Sequence, residues 1–130
     1  MNLNIKEGAI FVADSHFNQK NIEFLQFLNK LEKEEIKTSQ LFLMGDIIDF
    51  ISSECKYFIK QNHEIIDILN NLSKKIEIIY LEGNHDYNLQ ELFSNIKITF
   101  NSKSIIFESV QLLNAKSLLQ ILFYLNEEQV

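Results

Sequence analysis

"IEIIYLEGNHDYN", residues 76–88, decides how the rest of the chain is read. An apolar run from Ile76 to Leu81 ends just before Gly83, and Asn84, His85 and Asp86 then follow in succession. Short runs that are nearly all apolar are what strands covered on both faces look like. The run is therefore expected to be a buried strand, with the three polar residues at its carboxyl end. Packing does not call for three such side chains together. They form either an ordinary polar turn or a projection that does chemistry, and one tetrapeptide does not choose between these.

The same arrangement occurs twice upstream. "AIFVA" (9–13) runs straight into Asp14 and His16, and "LFLM" (41–44) runs into "GDIID", with Asp46 and Asp49. Residues 19–34 carry Ile22, Leu25, Phe27, Leu28 and Leu31 at helical spacing, and residues 56–73 repeat the pattern through Phe58, Ile59, Ile65, Ile66, Leu69 and Leu72. The order β-α-β-α-β with apolar strands predicts an α/β fold built on a mostly parallel sheet. In such sheets active groups gather at the carboxyl ends of the strands. Gly45 and Gly83 stand at the second and third junctions, where a residue without a side chain lets the backbone turn sharply.

Two histidines, one asparagine and four aspartates in three strand-end clusters are hard and borderline donors. They suit Mn, Fe or Zn, with Mg also possible. A carboxylate can bridge two ions roughly 3.5–4 Å apart, which together hold a phosphate and activate water for in-line displacement. A histidine outside the ligand set, held by a carboxylate, can protonate the leaving oxygen. Singly, each motif is weak: Asp-x-His arises by accident, and Gly-Asp-x-x-Asp also fits a capped helix start. All three in this order, each directly after an expected strand, make a much stronger set.

"ADSH", "GDIID" and "GNHD" resemble the first three motifs of the calcineurin-like metallophosphoesterase superfamily: Asp-x-His, Gly-Asp-x-x-Asp and Gly-Asn-His-Asp/Glu. The resemblance covers about residues 9 to 88, and within the family it leans toward the bacterial UDP-2,3-diacylglucosamine diphosphatase-like branch. It implies a two-sheet αββα sandwich of which this chain supplies the N-terminal part. Position by position, it implies that Asp14 and His16 bind a first metal ion, Asp46 bridges two ions and Asn84 binds the second. It further implies that His85 sits beside the scissile phosphate as proton donor or charge stabiliser, that Asp49 orients His85 and that Asp86 supports the loop. The implied cofactors are two divalent ions, with Mn expected first and Zn, Fe or Mg as alternatives. The implied substrate is a phosphorylated small molecule or nucleotide sugar. The family also completes its site with later histidines, whereas no histidine follows His85 here. A complementary C-terminal half or an oligomer is therefore an expected partner.

The bulk numbers agree with a globular chain of one domain's length: 130 residues, 46% hydrophobic and 23% charged. A net charge of −6 argues against a sequence-independent nucleic-acid binder. The single cysteine, Cys55, excludes an internal disulfide, fits a reducing compartment and reads as a partly buried small residue. The N-terminus lacks a signal-peptide pattern and no stretch is apolar enough to cross a bilayer, so the expected location is the cytoplasm. His63 is expected at the surface or in packing, and "EKEE" (32–35) as a solvated helix end.

Residues 1–100 are expected to form the metallophosphoesterase-like part and 101–130 a divergent tail, with "SVQLLNAKSLLQILFYLNEEQV" reading as one helix. Three functions follow. The first is metal-dependent hydrolysis of a phosphoester or pyrophosphate bond. The second is a catalytically inactive metal- or partner-binding remnant. The third is a Mg-binding doubly wound nucleotide or receiver-like module, against which the first strand lacks a Gly-rich phosphate loop.

Overall fold

Each apolar run expected to be a strand forms one. In the computed structural model, which describes residues 5–99 and 120–123, these are β1 (Ile10–Ala13), β2 (Gln40–Leu43) and β4 (Glu77–Leu81). They pair in parallel and adjacently, β1 on β2 and β2 on β4. Lys97–Thr99 (β6) adds to the far side of β4, and Gln120–Phe123 (β7) to the free side of β1. The result is a five-stranded, all-parallel sheet in the order β6-β4-β2-β1-β7. A two-residue ribbon, β3 (Ile51–Ser52) with β5 (Asp86–Tyr87), stands apart from it.

Side chains alternate across each strand and both faces are buried, which is why the runs read as continuously apolar. Ile10, Val12, Leu41, Leu43, Ile78 and Tyr80 point to one face. There they meet α1 (Glu23–Glu32) through Phe24, Phe27, Leu28 and Leu31, and α3 (His63–Leu72) through Ile65, Ile66, Ile68, Leu69 and Leu72. Phe11, Ala13, Phe42, Met44, Ile79 and Leu81 occupy the other face, where Phe11 and Phe42 stack at 4.4 Å.

Three expectations about the elements are corrected. The helical pattern at 19–34 shortens at its start, because Asn18 turns the chain: its Oδ1 accepts from the backbone N–H groups of Lys20 and Asn21. The single helix expected over 56–73 breaks into α2 (Lys56–Gln61) and α3 at Asn62. Buried Asn62 donates from Nδ2 to the carbonyls of Phe50 and Phe58, a local bond that competes with helix continuation. Gln120–Phe123, inside the segment expected to be one helix, is a strand in register with Ile10–Ala13. The rest of 101–130 lies outside the described residues. As expected, His63 is exposed and Cys55 is a partly buried free thiol. In "EKEE", Lys33, Glu34 and Glu35 are exposed past the end of α1, while Glu32 is half-buried.

Candidate metal centre

With β1, β2 and β4 adjacent and parallel, the three polar junctions fall on one edge of the sheet. The first two are zipped together beyond the strands. Asp14, His16 and Phe17 donate backbone N–H groups to the carbonyls of Gly45, Asp46 and Ile47, at 3.4, 3.0 and 2.8 Å. The Ser15 hydroxyl, buried, adds a bond to the Ile47 carbonyl, and Asn21 holds the loop from outside through the Ser15 and His16 carbonyls.

This framework forces an unusual backbone. Asp14 (φ 56°), His16 (φ 45°) and Asp46 (φ 52°) all lie in the left-handed region, as does Gly45 (φ 86°). A non-glycine residue held there costs about 1–3 kcal/mol, and such residues cluster at functional sites when the surroundings over-determine them. Here all three are expected metal ligands. The conformation draws one ligand atom from each to within 4.8 Å of the others, with all three side chains partly exposed. Two carboxylate oxygens and an imidazole nitrogen at that mutual reach fit a divalent ion of the Mn, Fe, Zn or Mg type.

Asp49 is placed differently from its implied role. Its Oδ1 lies 3.7 Å from His16 Nδ1, and its Oδ2 accepts from Asn18 Nδ2 at 3.3 Å. Among the described residues no hydrogen bond or ion pair joins it to His85. A carboxylate beside the imidazole of a metal ligand can fix its tautomer and ring orientation.

The third junction is organised by Asp86. Its carboxylate is fully buried and accepts four hydrogen bonds: Oδ1 from the N–H groups of Asp46 (3.1 Å) and Gly83 (2.9 Å), Oδ2 from Ile47 N–H (2.9 Å) and the Tyr80 hydroxyl (2.6 Å). Burial raises the Asp86 carboxyl above the usual range, although all four bonds pull the other way. Burial, reinforced by the neighbouring Asp86 charge, raises the Tyr80 phenol well above its ordinary value, so it remains a donor. Gly83 is needed here for closeness rather than for φ. A Cβ on it would fall 2.7 Å from Asp86 Oδ1 and 2.8 Å from both the backbone nitrogen and Oδ1 of Asp46.

Asn84 and His85 sit exposed between these anchors, and neither side chain makes a hydrogen bond among the described residues. The His85 carbonyl is fixed by Ile51 N–H at 2.9 Å, where β3 meets β5. His85 is not part of the Asp14, His16 and Asp46 cluster. Tyr80 was not foreseen, because a tyrosine in an apolar strand reads as core. The signal available was that it is the one hydroxyl in "IEIIYL".

Against known proteins, the sequence pattern of calcineurin-like phosphoesterases matches residues 9–127. The chain belongs to that family. The match runs past the third motif and through most of the segment expected to be a divergent tail. A curated UDP-2,3-diacylglucosamine hydrolase from Shewanella piezotolerans is 29% identical over 89 residues. That stretch takes in 66% of this chain but 36% of the relative, so the chain spans little more than a third of the relative's length. Among the described residues no helix is long and apolar enough to cross a membrane.

Proposed function

We propose that this phosphoesterase-family chain carries a metal site for hydrolysing a phosphate ester or pyrophosphate bond in a small phosphorylated molecule, with a nucleotide sugar as the first candidate. One observation carries the reading: Asp14, His16 and Asp46, three left-handed residues on two adjacent strand ends, converge within 4.8 Å. A divalent ion held there would polarise a phosphoryl oxygen and make bound water more acidic. Mn is the ion we expect, and the Asp46 carboxylate would serve a second ion as well as the first.

The chain's own residues divide the remaining work. Asn84, at the end of the third strand, would offer its side-chain oxygen to a second ion. His85, exposed beside it with a side chain that makes no hydrogen bond among the described residues, would donate a proton to the leaving oxygen. Asp49 would steady His16 rather than His85, as its 3.7 Å approach favours. Beyond Asp46 and Asn84 the second ion would need further donors, which a complementary C-terminal segment, in the same polypeptide or another, or a second copy would supply. The free cysteine suits the reducing cytoplasm, where we place the protein.

The test is Mn uptake by calorimetry together with turnover of a bis-aryl phosphate ester. Uptake with slow turnover that rises on adding a complementary C-terminal segment is the expected result. Uptake with no turnover in any assembly favours an inactive metal-binding remnant. No uptake removes the basis for the site.

A further inference from the structure

We infer that Tyr80 is a positioning residue: its phenol, through Asp86, holds the Asp46 loop in the geometry that presents the Asp46 carboxylate. The inference rests on the metal-site reading above and extends it to a side chain that, among the described residues, makes no hydrogen bond to Asp14, His16 or Asp46. Tyr80 is fully buried in β4, packed on Phe93 with ring centroids 6.0 Å apart, and its hydroxyl reaches Asp86 Oδ2 at 2.6 Å.

That oxygen also receives Ile47 N–H, while the other receives Asp46 N–H and Gly83 N–H. One carboxylate thus ties together the second and third junctions, and the phenol fixes it to the sheet. Two features make the tie consequential. Asp46 has φ 52°, a conformation that persists only where neighbours impose it. The Asp46 Oδ1 atom also lies so near Gly83 that a single added carbon would meet it at 2.8 Å, so the two loops have no slack between them. A shift of the Asp86 carboxylate therefore moves the Asp46 backbone and carboxylate together.

The bland alternative is that the phenol only satisfies its own buried hydroxyl. Tyr80→Phe separates the two, since it keeps the ring and its packing on Phe93. Amide hydrogen exchange reads the tether without metal. We expect exchange at Asp46, Ile47 and Gly83 to quicken about tenfold more than at the β1 and β2 amides. Mn titration reads its purpose, with affinity falling about 10–100-fold as for other supporting groups behind metal ligands.

Unchanged exchange at those three amides overturns the tether, and faster exchange with unchanged Mn affinity reduces it to a structural role. Should Tyr80→Phe fail to fold, Asp86→Asn serves instead, since its remaining oxygen can keep the Asp46 and Gly83 bonds while the Ile47 bond is lost. Its exchange should then rise most at Ile47, and equal protection there would overturn the tether. If the wild-type chain takes up no Mn, the functional reading fails, and the positioning role fails with it. The exchange data still decide whether the tether exists.

Discussion

The two edges of the parallel sheet use carboxylates in opposite ways. At the amino edge Glu77 opens β4 and is surrounded by partners: Gln40 Nε2 at 2.6 Å, Lys97 Nζ at 3.2 Å and Lys6 Nζ at 3.7 Å. At the carboxyl edge Asp14 and Asp46 crowd around His16 in strained backbone conformations, and among the described residues no lysine pairs with either. Glu77 is given its counter-charge by the protein. Asp14 and Asp46 are left without one, as residues meant for a cation would be, and backbone bonds hold their loops instead. The first edge should therefore lose little when its charge is removed, and the second should lose its function.

The largest effect is expected from Asp46→Gly. Glycine adopts φ 52° without strain, so the loop should survive while the carboxylate disappears. Mn uptake by calorimetry should be lost, and melting of the metal-free protein should hold or rise slightly. Retained uptake would mean that Asp46 is no ligand, and the contrast between the edges would collapse.

Gly83→Ala attacks the same edge through packing. The added carbon would sit 2.7–2.8 Å from the Asp86 and Asp46 atoms, and two of these are backbone or already bonded. Overpacking of this kind costs about 1–3 kcal/mol, which urea denaturation should show alongside weaker Mn binding.

His85→Ala and Asp49→Asn divide the edge by role. Removing a proton donor should leave Mn affinity nearly intact and lower turnover by ~10²–10⁴-fold, less for substrates with good leaving groups. Asp49→Asn should instead weaken Mn binding, because Asp49 stands beside His16. If Asp49→Asn spares the metal and depresses turnover, its partner in the working site is His85 after all. Stopped-flow turnover and calorimetry on the same preparations decide this.

The contrast between the edges also marks what the sequence could reveal. β1, β2 and β4 were legible because burial on both faces leaves an unbroken apolar run. The first two motifs were legible because carboxylates and a histidine directly after such runs have no packing purpose. The β3–β5 ribbon was not, since two residues are too few to show alternation. "QILF" at 120–123 read as helix because a short apolar run carries no period of its own, and its pairing with β1 depends on a sheet edge 110 positions away in sequence. The neighbour of Asp49 was equally hidden, because backbone pairing between Phe17 and the Ile47–Asp49 segment, more than 25 positions away in sequence, is what brings Asp49 beside His16.

The smallest effect belongs to the amino edge. Burial alone would raise the Glu77 carboxyl, but hydrogen bonds from Gln40 and Lys97 and the charges of Lys6 and Lys97 outweigh it and bring the group below its ordinary range. A folded-state value below the unfolded one means that the ionised form is favoured by folding. Its contribution is therefore present above the ordinary glutamate value of ~4.3 and is lost as pH falls through the lowered one. Glu77→Gln should cost no more than about 1 kcal/mol at neutral pH, as partly exposed ion pairs do. The difference from wild type should shrink in high salt and vanish in acid below the lowered value, while Mn affinity stays the same. Denaturation curves across pH and ionic strength test the first part, and calorimetry the second. A Glu77→Gln variant that bound Mn less tightly would show that the two edges are coupled through the strands, contrary to the division drawn here.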